Sequence, residues 1–237
     1  MIQKIGMKII FLNTWNGKMR EGIADFLREQ SADTDMFCLQ EAYDGMREIC
    51  HEILSDFTEL TAYKFVVADD DFPMATYVRK GIEILSSETV FDGVMDCGLG
   101  ICMHVRSGNV EAHICNVHGL SKPGNKLDNP DRLKQSRGLI DFFRDKNGSK
   151  IIGGDFNLFP DTESIRMFSE YGYRNLIAEY EIKTTRNRLA WEMYPDSKQL
   201  FSDYVFVSSD TDVTRFEVPD NEIADHLPLV LEIGEAS

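Results

Sequence analysis

No stretch of this chain approaches the roughly 18 consecutive apolar residues that a membrane-crossing helix needs. The amino-terminal run Met1-Ile2-Gln3-Lys4-Ile5-Gly6-Met7-Lys8-Ile9-Ile10 is short and has no small-residue cleavage site. Membrane insertion is therefore not expected, and a cytoplasmic location is. Proline is sparse, at 7 of 237 residues, and no Ser/Gly/Pro-rich linker or low-complexity tract divides the sequence. One domain spanning 1–237 is the reading, with residues 1–6 an extension outside the core and Met7 opening the first strand. Cysteine is scarce too. The five (Cys38, Cys50, Cys97, Cys102, Cys115) are odd in number and form no Cys-x-x-Cys pair, and several sit in apolar runs. That pattern predicts free, buried thiols in a reducing compartment rather than a disulfide framework. Positive charge is the last shortage: 25 Lys and Arg face 40 Asp and Glu, for a net charge of −15. An acidic surface disfavours broad capture of long duplex nucleic acid.

What is present is an ordinary globular composition, 43% hydrophobic and 27% charged, too apolar for a disordered chain. Lys8–Trp15 reads as a central strand, apolar on both faces. Met19, Ile23, Phe26 and Leu27 follow at helical spacing, and Asp35–Glu41 is strand-like. Met46, Ile49, Cys50, Ile53, Leu54 and Phe57 form the clearest amphipathic helix. Tyr63–Ala68, Ala75–Arg79, Ile82–Val90, Gly100–Arg106 and Val110–Val117 are β-type runs, with hairpin turns expected at Arg79-Lys80-Gly81 and Ser107-Gly108-Asn109. Asn129-Pro130 opens a helix. Lys150–Gly153 is a buried strand, Thr162–Tyr171 a helix, and Asp203–Val207, Val213–Val218 and Leu229–Ile233 are late strands. Mixed βα units with an intervening meander predict two packed sheets flanked by helices.

Polar clusters punctuate the strand ends: Asn13-Thr14-Trp15, Gln40-Glu41, Asn116-Val117-His118-Gly119, Gly154-Asp155-Phe156-Asn157 and Asp225-His226-Leu227-Pro228, and Asp203 opens a late strand as Ser202-Asp203-Tyr204-Val205-Phe206. Strand ends are where α/β folds assemble sites. Carboxylates, carboxamides and histidines together suit a hard divalent cation beside a phosphoryl group.

This ordered set, running from Asn13 to Pro228, resembles the endonuclease/exonuclease/phosphatase superfamily, whose fold is that of DNase I. The resemblance implies an α/β fold, a four-layer sandwich of two face-to-face mixed β-sheets flanked by helices, with one site at a shared edge. It implies a Mg²⁺ (or Mn²⁺) ion held by Glu41, with Asn13 beside it and Asp225 direct or through water. Asp155 and Asn157 would position the attacking water and the scissile phosphate. His226 would act as general base or phosphate contact, Asp203 would orient it, and His118 would reach a non-bridging oxygen. Departures are visible. Phe72-Pro73-Met74-Ala75-Thr76 lacks the glycine pattern of many relatives, and no glutamate partner for His118 stands out. Apurinic endonucleases carry tyrosine at the His118 position, which argues against that branch.

Outside these motifs, Lys122, Asn125 and Lys126, and Thr184-Thr185-Arg186, are candidate substrate contacts. Trp191 and Tyr194 are candidate stacking residues, and Asp69-Asp70-Asp71 a solvated acidic loop. The sequence reading is a phosphodiesterase acting on a short or single-stranded nucleic acid or a small diester, with no obligate protein partner. A phosphomonoesterase of a small molecule or nucleotide is the alternative. A non-catalytic member that binds a phospholigand or a protein ranks below both.

Overall fold

In the computed structural model, β1 (Met7–Asn13) is buried along its whole length, and its alternation decides the layering. Met7, Ile9 and Phe11 point into the core between two sheets, while Ile10 and Leu12 join a second cluster beneath α1 (Arg20–Gln30) and α2 (Asp44–Ile53). β2 (Met36–Gln40) repeats the division, with Met36 and Cys38 on one side and Phe37 and Leu39 on the other. The period of two makes each strand serve two layers.

The described residues are 6–62, 73–94, 97–193, 195–196 and 198–235. The remaining strands are β3 (Phe57–Ala62), β4 (Met74–Arg79), β5 (Glu83–Val90), β6 (Leu99–Ser107), β7 (Val110–His118), β8 (Ser149–Asp155), β9 (Tyr173–Asn175), β10 (Asp203–Ser208), β11 (Val213–Glu217) and β12 (Leu229–Ile233). Helices α3 (Pro130–Phe143), α4 (Glu163–Glu170), α5 (Leu176–Glu179) and α6 (Arg188–Met193) complete the chain. One sheet runs β11-β12-β1-β2-β4-β3 and the other β5-β6-β7-β8-β10-β9. Both are mixed: β1–β2 and β7–β8 are parallel, and the other pairs antiparallel. With helices on the outer faces this is a four-layer α/β sandwich of the DNase I-like kind. Asn129 caps α3 by accepting from the Arg132 amide at 2.8 Å, with Pro130 in its first turn.

Several expectations are corrected. The Arg79-Lys80-Gly81 turn makes no hairpin, because β4 and β5 belong to different sheets and the turn carries the chain between them. Helix α2 stops at Ile53, where the Leu54 amide bonds back to Cys50, and Phe57 opens β3 instead. Phe57 packs in the same cluster as Met46, Ile49 and Cys50, so its spacing looks helical although its backbone is extended. Cys102 and Cys115 are joined as a disulfide, against the expectation of five free thiols. They stand directly opposite each other in the β6–β7 register, and facing positions on antiparallel strands bring β-carbons close, whatever the sequence separation. Cys38, Cys50 and Cys97 are free and buried. The expected strand Tyr63–Ala68 and the acidic run Asp69–Asp71 lie outside the described residues, as do residues 1–5 of the expected extension.

Away from the strand ends that carry the polar motifs, Glu59 on β3 ties sheet to helix. It accepts from Arg47 Nε at 2.8 Å and Tyr77 Oη at 2.9 Å, and lies 2.8 Å from His51 Nε2. Burial opposes ionisation, but these donors outweigh it and bring the carboxyl down to about 2 from 4.5. A depressed folded-state value stabilises above the unfolded value and is lost as pH falls through the folded one. Glu59→Gln is expected to lower stability at pH 7 by about 1–2 kcal/mol, after allowance for solvent screening. The gap to wild type should close between pH 4.5 and about 2, which denaturant unfolding at several pH values measures. A gap that widens in acid would contradict the clamp.

Candidate active site

The two sheets deliver their polar ends to one seam. From the first sheet come Asn13, at the end of β1, and Glu41, just after β2. From the second come His118 and Asp155, ending the parallel neighbours β7 and β8, with Asp203 opposite Asp155 at the start of β10. Beneath them Gln40 Nε2 donates to Asn116 Oδ1 at 2.5 Å, across the sheets, and Asn116 Nδ2 donates to Thr76 Oγ1 at 3.1 Å. Close approach there requires glycine. A β-carbon on Gly153 would meet the Phe11 ring at 2.7 Å. One on Gly154, whose φ is +131°, would lie 2.2 Å from the Val117 carbonyl oxygen. Next to this pair, Phe156 is fixed among Phe168, Tyr204 and Phe206, so Asp155 and Asn157 project from an anchored turn.

Asp155 is saturated with donors. Oδ1 accepts from Ser202 Oγ at 2.5 Å and the Asn157 amide at 2.9 Å, and Oδ2 from Asn13 Nδ2 at 3.0 Å. Burial works against its ionisation, yet the neighbouring His226, Lys126 and His118 and the Ser202 hydrogen bond hold the carboxyl well below the usual range. His226 Nδ1 lies 2.9 Å from both oxygens of Asp203, and its Nε2 is 3.8 Å from Asp155 Oδ2. Burial pushes the His226 imidazole down, to about 4, with Arg186 acting the same way. Burial and Asp155 push the Asp203 carboxyl up. Thr185 holds Asp203 in place, its Oγ1 accepting from the amides of Ser202 (3.1 Å) and Asp203 (3.2 Å). His118 is buried, and burial lowers it to about 4. The carboxylate that faces it is Asp155, with Oδ2 3.8 Å from Nε2.

A cavity of about 480 Å³ opens at the seam, and its wall includes Glu41, His118, Lys126, Asp155, Asn157, Arg186, Asp225 and His226. Seven described non-glycine residues have positive φ, and five of them line this cavity: Trp15, Asn16, Glu41, Lys126 and Asn157. Left-handed backbone costs a side-chain-bearing residue about 1–3 kcal/mol and persists only where its surroundings over-determine it. Here it is concentrated on the turns that form the cavity wall.

Of the expected substrate contacts, Lys126 and Arg186 are in the wall, whereas Lys122 is exposed and is no part of it. Asn125 is used by its own loop, its Oδ1 accepting from Leu127 N and Arg132 Nη1. Thr184 Oγ1 donates to backbone oxygens of Arg186 and Leu200, and Thr185 supports Asp203, so neither hydroxyl faces the cavity. Trp191 lies outside the wall, where its indole N–H donates to the Gln199 carbonyl at 3.0 Å. Tyr194 lies outside the described residues. Sequence reasoning missed Ser202, adjacent to Asp203, and Arg132. The Arg132 guanidinium donates to the Leu120, Ser121, Pro123 and Leu127 carbonyls and so shapes the 120–127 loop. It also missed Gln199, whose Nε2 donates to the Gly124 carbonyl and ties two rim loops together.

The residues fit a hard divalent cation on the Glu41 side. Burial pushes the Glu41 carboxyl up to about 7 even with Asn13 donating to it, and Asp155 and Asp225 add to the rise. Asp225 Oδ2 accepts from Arg186 Nη2 at 2.6 Å, while its buried Oδ1 has no hydrogen-bond partner among the described residues. Two carboxylates in one cavity wall, one raised by burial and by the other's charge and the other with an oxygen that accepts no hydrogen bond, are the donor set that Mg²⁺ or Mn²⁺ takes. Asn13 differs from expectation here. Its oxygen accepts from the Trp15 amide at 3.0 Å, so its nitrogen faces Glu41 and Asp155, joining two carboxylates rather than offering a ligand oxygen. A second group, Asp155, Asp203 and His226, brings three potential ligand atoms within 4.8 Å of one another.

A four-layer DNase I-like sandwich with a carboxylate–histidine site at its seam defines the class. The chain belongs to the Endonuclease/Exonuclease/phosphatase family, whose model matches residues 11–226. Among solved structures it is similar to an endonuclease/exonuclease/phosphatase from Bacteroides vulgatus, with TM-score 0.78, 15% identity, and coverage of 98% of this chain and 100% of that one. It is also similar to the mannosyl-6-phosphatase Bt3783 of Bacteroides thetaiotaomicron (TM-score 0.72, 19% identity, 96% and 99%). A humanized D. rerio TDP2 compares at TM-score 0.76 and 14% identity, covering 97% and 99%. At these identities the likeness is one of fold. No curated protein sequence gives a significant match. Among the described residues, no helix is long and apolar enough to cross a membrane.

Proposed function

We propose that this chain is a divalent-metal-dependent phosphoester hydrolase, acting on a small phosphodiester or a short or single-stranded nucleic acid. The observation that carries the reading is the Asp203–His226 pair facing Asp155 across 3.8 Å, beside the under-compensated carboxylates Glu41 and Asp225. A single water at about 2.8 Å from both His226 Nε2 and Asp155 Oδ2 fits that gap. With the Nδ1 proton held toward Asp203, Nε2 is free to take the water's proton as it attacks phosphorus. Asp155, ionised under its ring of donors, orients the same water. Arg186 and Lys126 supply positive charge to the phosphoryl oxygens, and His118, neutral in its burial, donates a hydrogen bond to a non-bridging oxygen. A Mg²⁺ or Mn²⁺ ion at Glu41 and Asp225 would supply Lewis-acid stabilisation of charge on the phosphoester.

A monoester substrate is the second reading. Lys18, Lys126 and Arg186 gather positive charge in the cavity wall of a chain whose net charge is −15, which suits a phosphate dianion. The mannosyl-6-phosphatase shares the fold. Hydrolysis of bis-p-nitrophenyl phosphate and p-nitrophenyl phosphate, side by side, separates the two. Diester turnover that EDTA abolishes and Mg²⁺ or Mn²⁺ restores is the expected result. Preferential monoester turnover under the same controls selects the second reading, and turnover indifferent to EDTA overturns the metal-dependent one.

A further inference from the structure

The site divides into two electrostatic halves. On the Glu41–Asp225 side negative charge exceeds what Asn13 and Arg186 supply, and one carboxylate oxygen is buried without a hydrogen bond. On the Asp155–Asp203 side the charge is already met. Lys126, only 5% exposed, donates from Nζ to Asn157 Oδ1 at 2.9 Å and to Ser202 Oγ at 2.7 Å. The Ser202 hydroxyl in turn donates to Asp155 Oδ1. Two of the oxygens a second ion would use there, Asn157 Oδ1 and Ser202 Oγ, are held by Lys126 itself.

We propose that Lys126 is the built-in second cation of this site, so that the chain takes one divalent metal ion, at Glu41 and Asp225, and not two. The proposal rests on the metal-dependent reading above and deepens it. Two-metal phosphoesterases place their ions about 3.5–4 Å apart so that both flank the reacting phosphorus. Here an ammonium group donates to Asn157 Oδ1 and Ser202 Oγ, and Ser202 bonds on to Asp155, on the half of the site that a second ion would have to occupy. Its position is enforced rather than incidental. Lys126 has a left-handed backbone, at φ 55°, and its carbonyl accepts from the Phe159 amide at 2.9 Å. Its loop is gathered by the five acceptors around the Arg132 guanidinium. Burying an ammonium group is costly unless its donors are met, and both hydrogen bonds this one makes go to the water-positioning half of the site. Removing the charge would leave Asp155, Asp203 and His226, whose ligand atoms lie within 4.8 Å of one another, short of a cation.

The test is a Mn²⁺ titration of the full chain, with free Mn²⁺ read by electron paramagnetic resonance, so that stoichiometry is measured without reference to activity. Wild type is expected to bind one Mn²⁺ per chain, Lys126→Met two, and Lys126→Arg, which keeps the charge, one. If Lys126→Met melts below the assay temperature, Lys126→Gln gives the same readout with a hydrogen-bonding end left in place. Two ions in wild type would overturn the proposal while leaving the metal-dependent reading standing, and so would one ion in a folded, charge-deleted variant. No Mn²⁺ binding by wild type would remove that reading itself, and the proposal with it.

Discussion

His226→Ala is expected to lower kcat on the phosphodiester about 10²–10⁴-fold, the range of a positioned general base, with KM changed by less than about threefold. The separation follows from the geometry. The imidazole meets Asp203 on one edge and faces Asp155 at 3.8 Å on the other, so its removal takes away a proton acceptor rather than a grip on the substrate. Arg186 and Lys126, which supply that grip, keep their own partners at Asp225, Asn157 and Ser202. In the variant the vacated Asp203 carboxyl, pushed up by burial and by Asp155, takes up a proton and adds little electrostatic strain. Steady-state kinetics at saturating Mg²⁺ decide the matter. Undiminished kcat would remove His226 from the role of base, and a loss confined to KM would make it a phosphate contact.

Glu41→Gln has the second large expected effect, and it runs in two directions. Mn²⁺ affinity and turnover should fall by at least about 10²-fold, because the substitution deletes a charged oxygen from the pair that fits the metal. The metal-free protein should become more stable, by about 1–2 kcal/mol at pH 7 and above. Burial holds the Glu41 carboxyl up at about 7. Its folded-state value lies above the unfolded one, so the group is destabilising once pH exceeds the unfolded value, and the full penalty is reached above the folded one. A neutral carboxamide removes that penalty. Thermal melts in EDTA test the rise directly, and a lower melting point for the variant would show that Glu41 is compensated in a way the site does not reveal. A stabilising change that abolishes activity is what a site assembled around missing positive charge predicts.

The fold was legible where short runs are apolar on both faces. β1, β2 and β12 carry apolar side chains on both faces because each is sandwiched between layers, and a run apolar throughout can mean little else. Phe57 was misread because it shares a cluster with the α2 side chains from an extended backbone, and a one-dimensional period cannot distinguish those routes to one core. The Cys102–Cys115 pair escaped because cross-strand proximity depends on register, which spacing alone does not give. In the site, residues at strand ends were visible because strand ends are where the chain leaves the core. Ser202 and Arg132 were not, because a serine beside an aspartate and an arginine within a helix have no local signature. Their roles appear only when loops 120–127 and 198–202 are brought beside β8. Asn13 was recognised by place but not by orientation, since only the Trp15 amide fixes which end of its carboxamide faces the carboxylates.

The Gln40–Asn116 hydrogen bond beneath the seam has a consequence for how such a protein can change. Glu41 belongs to one sheet and Asp155, Asp203 and His118 to the other, so no contiguous fragment of either sheet is half a catalyst. A truncated chain or an exchanged subdomain inherits an intact layer with an inert edge. New specificity is therefore to be had cheaply at the rim loops, which Arg132 and Gln199 shape independently of the seam. The chemistry itself tolerates only substitutions that keep both layers in step.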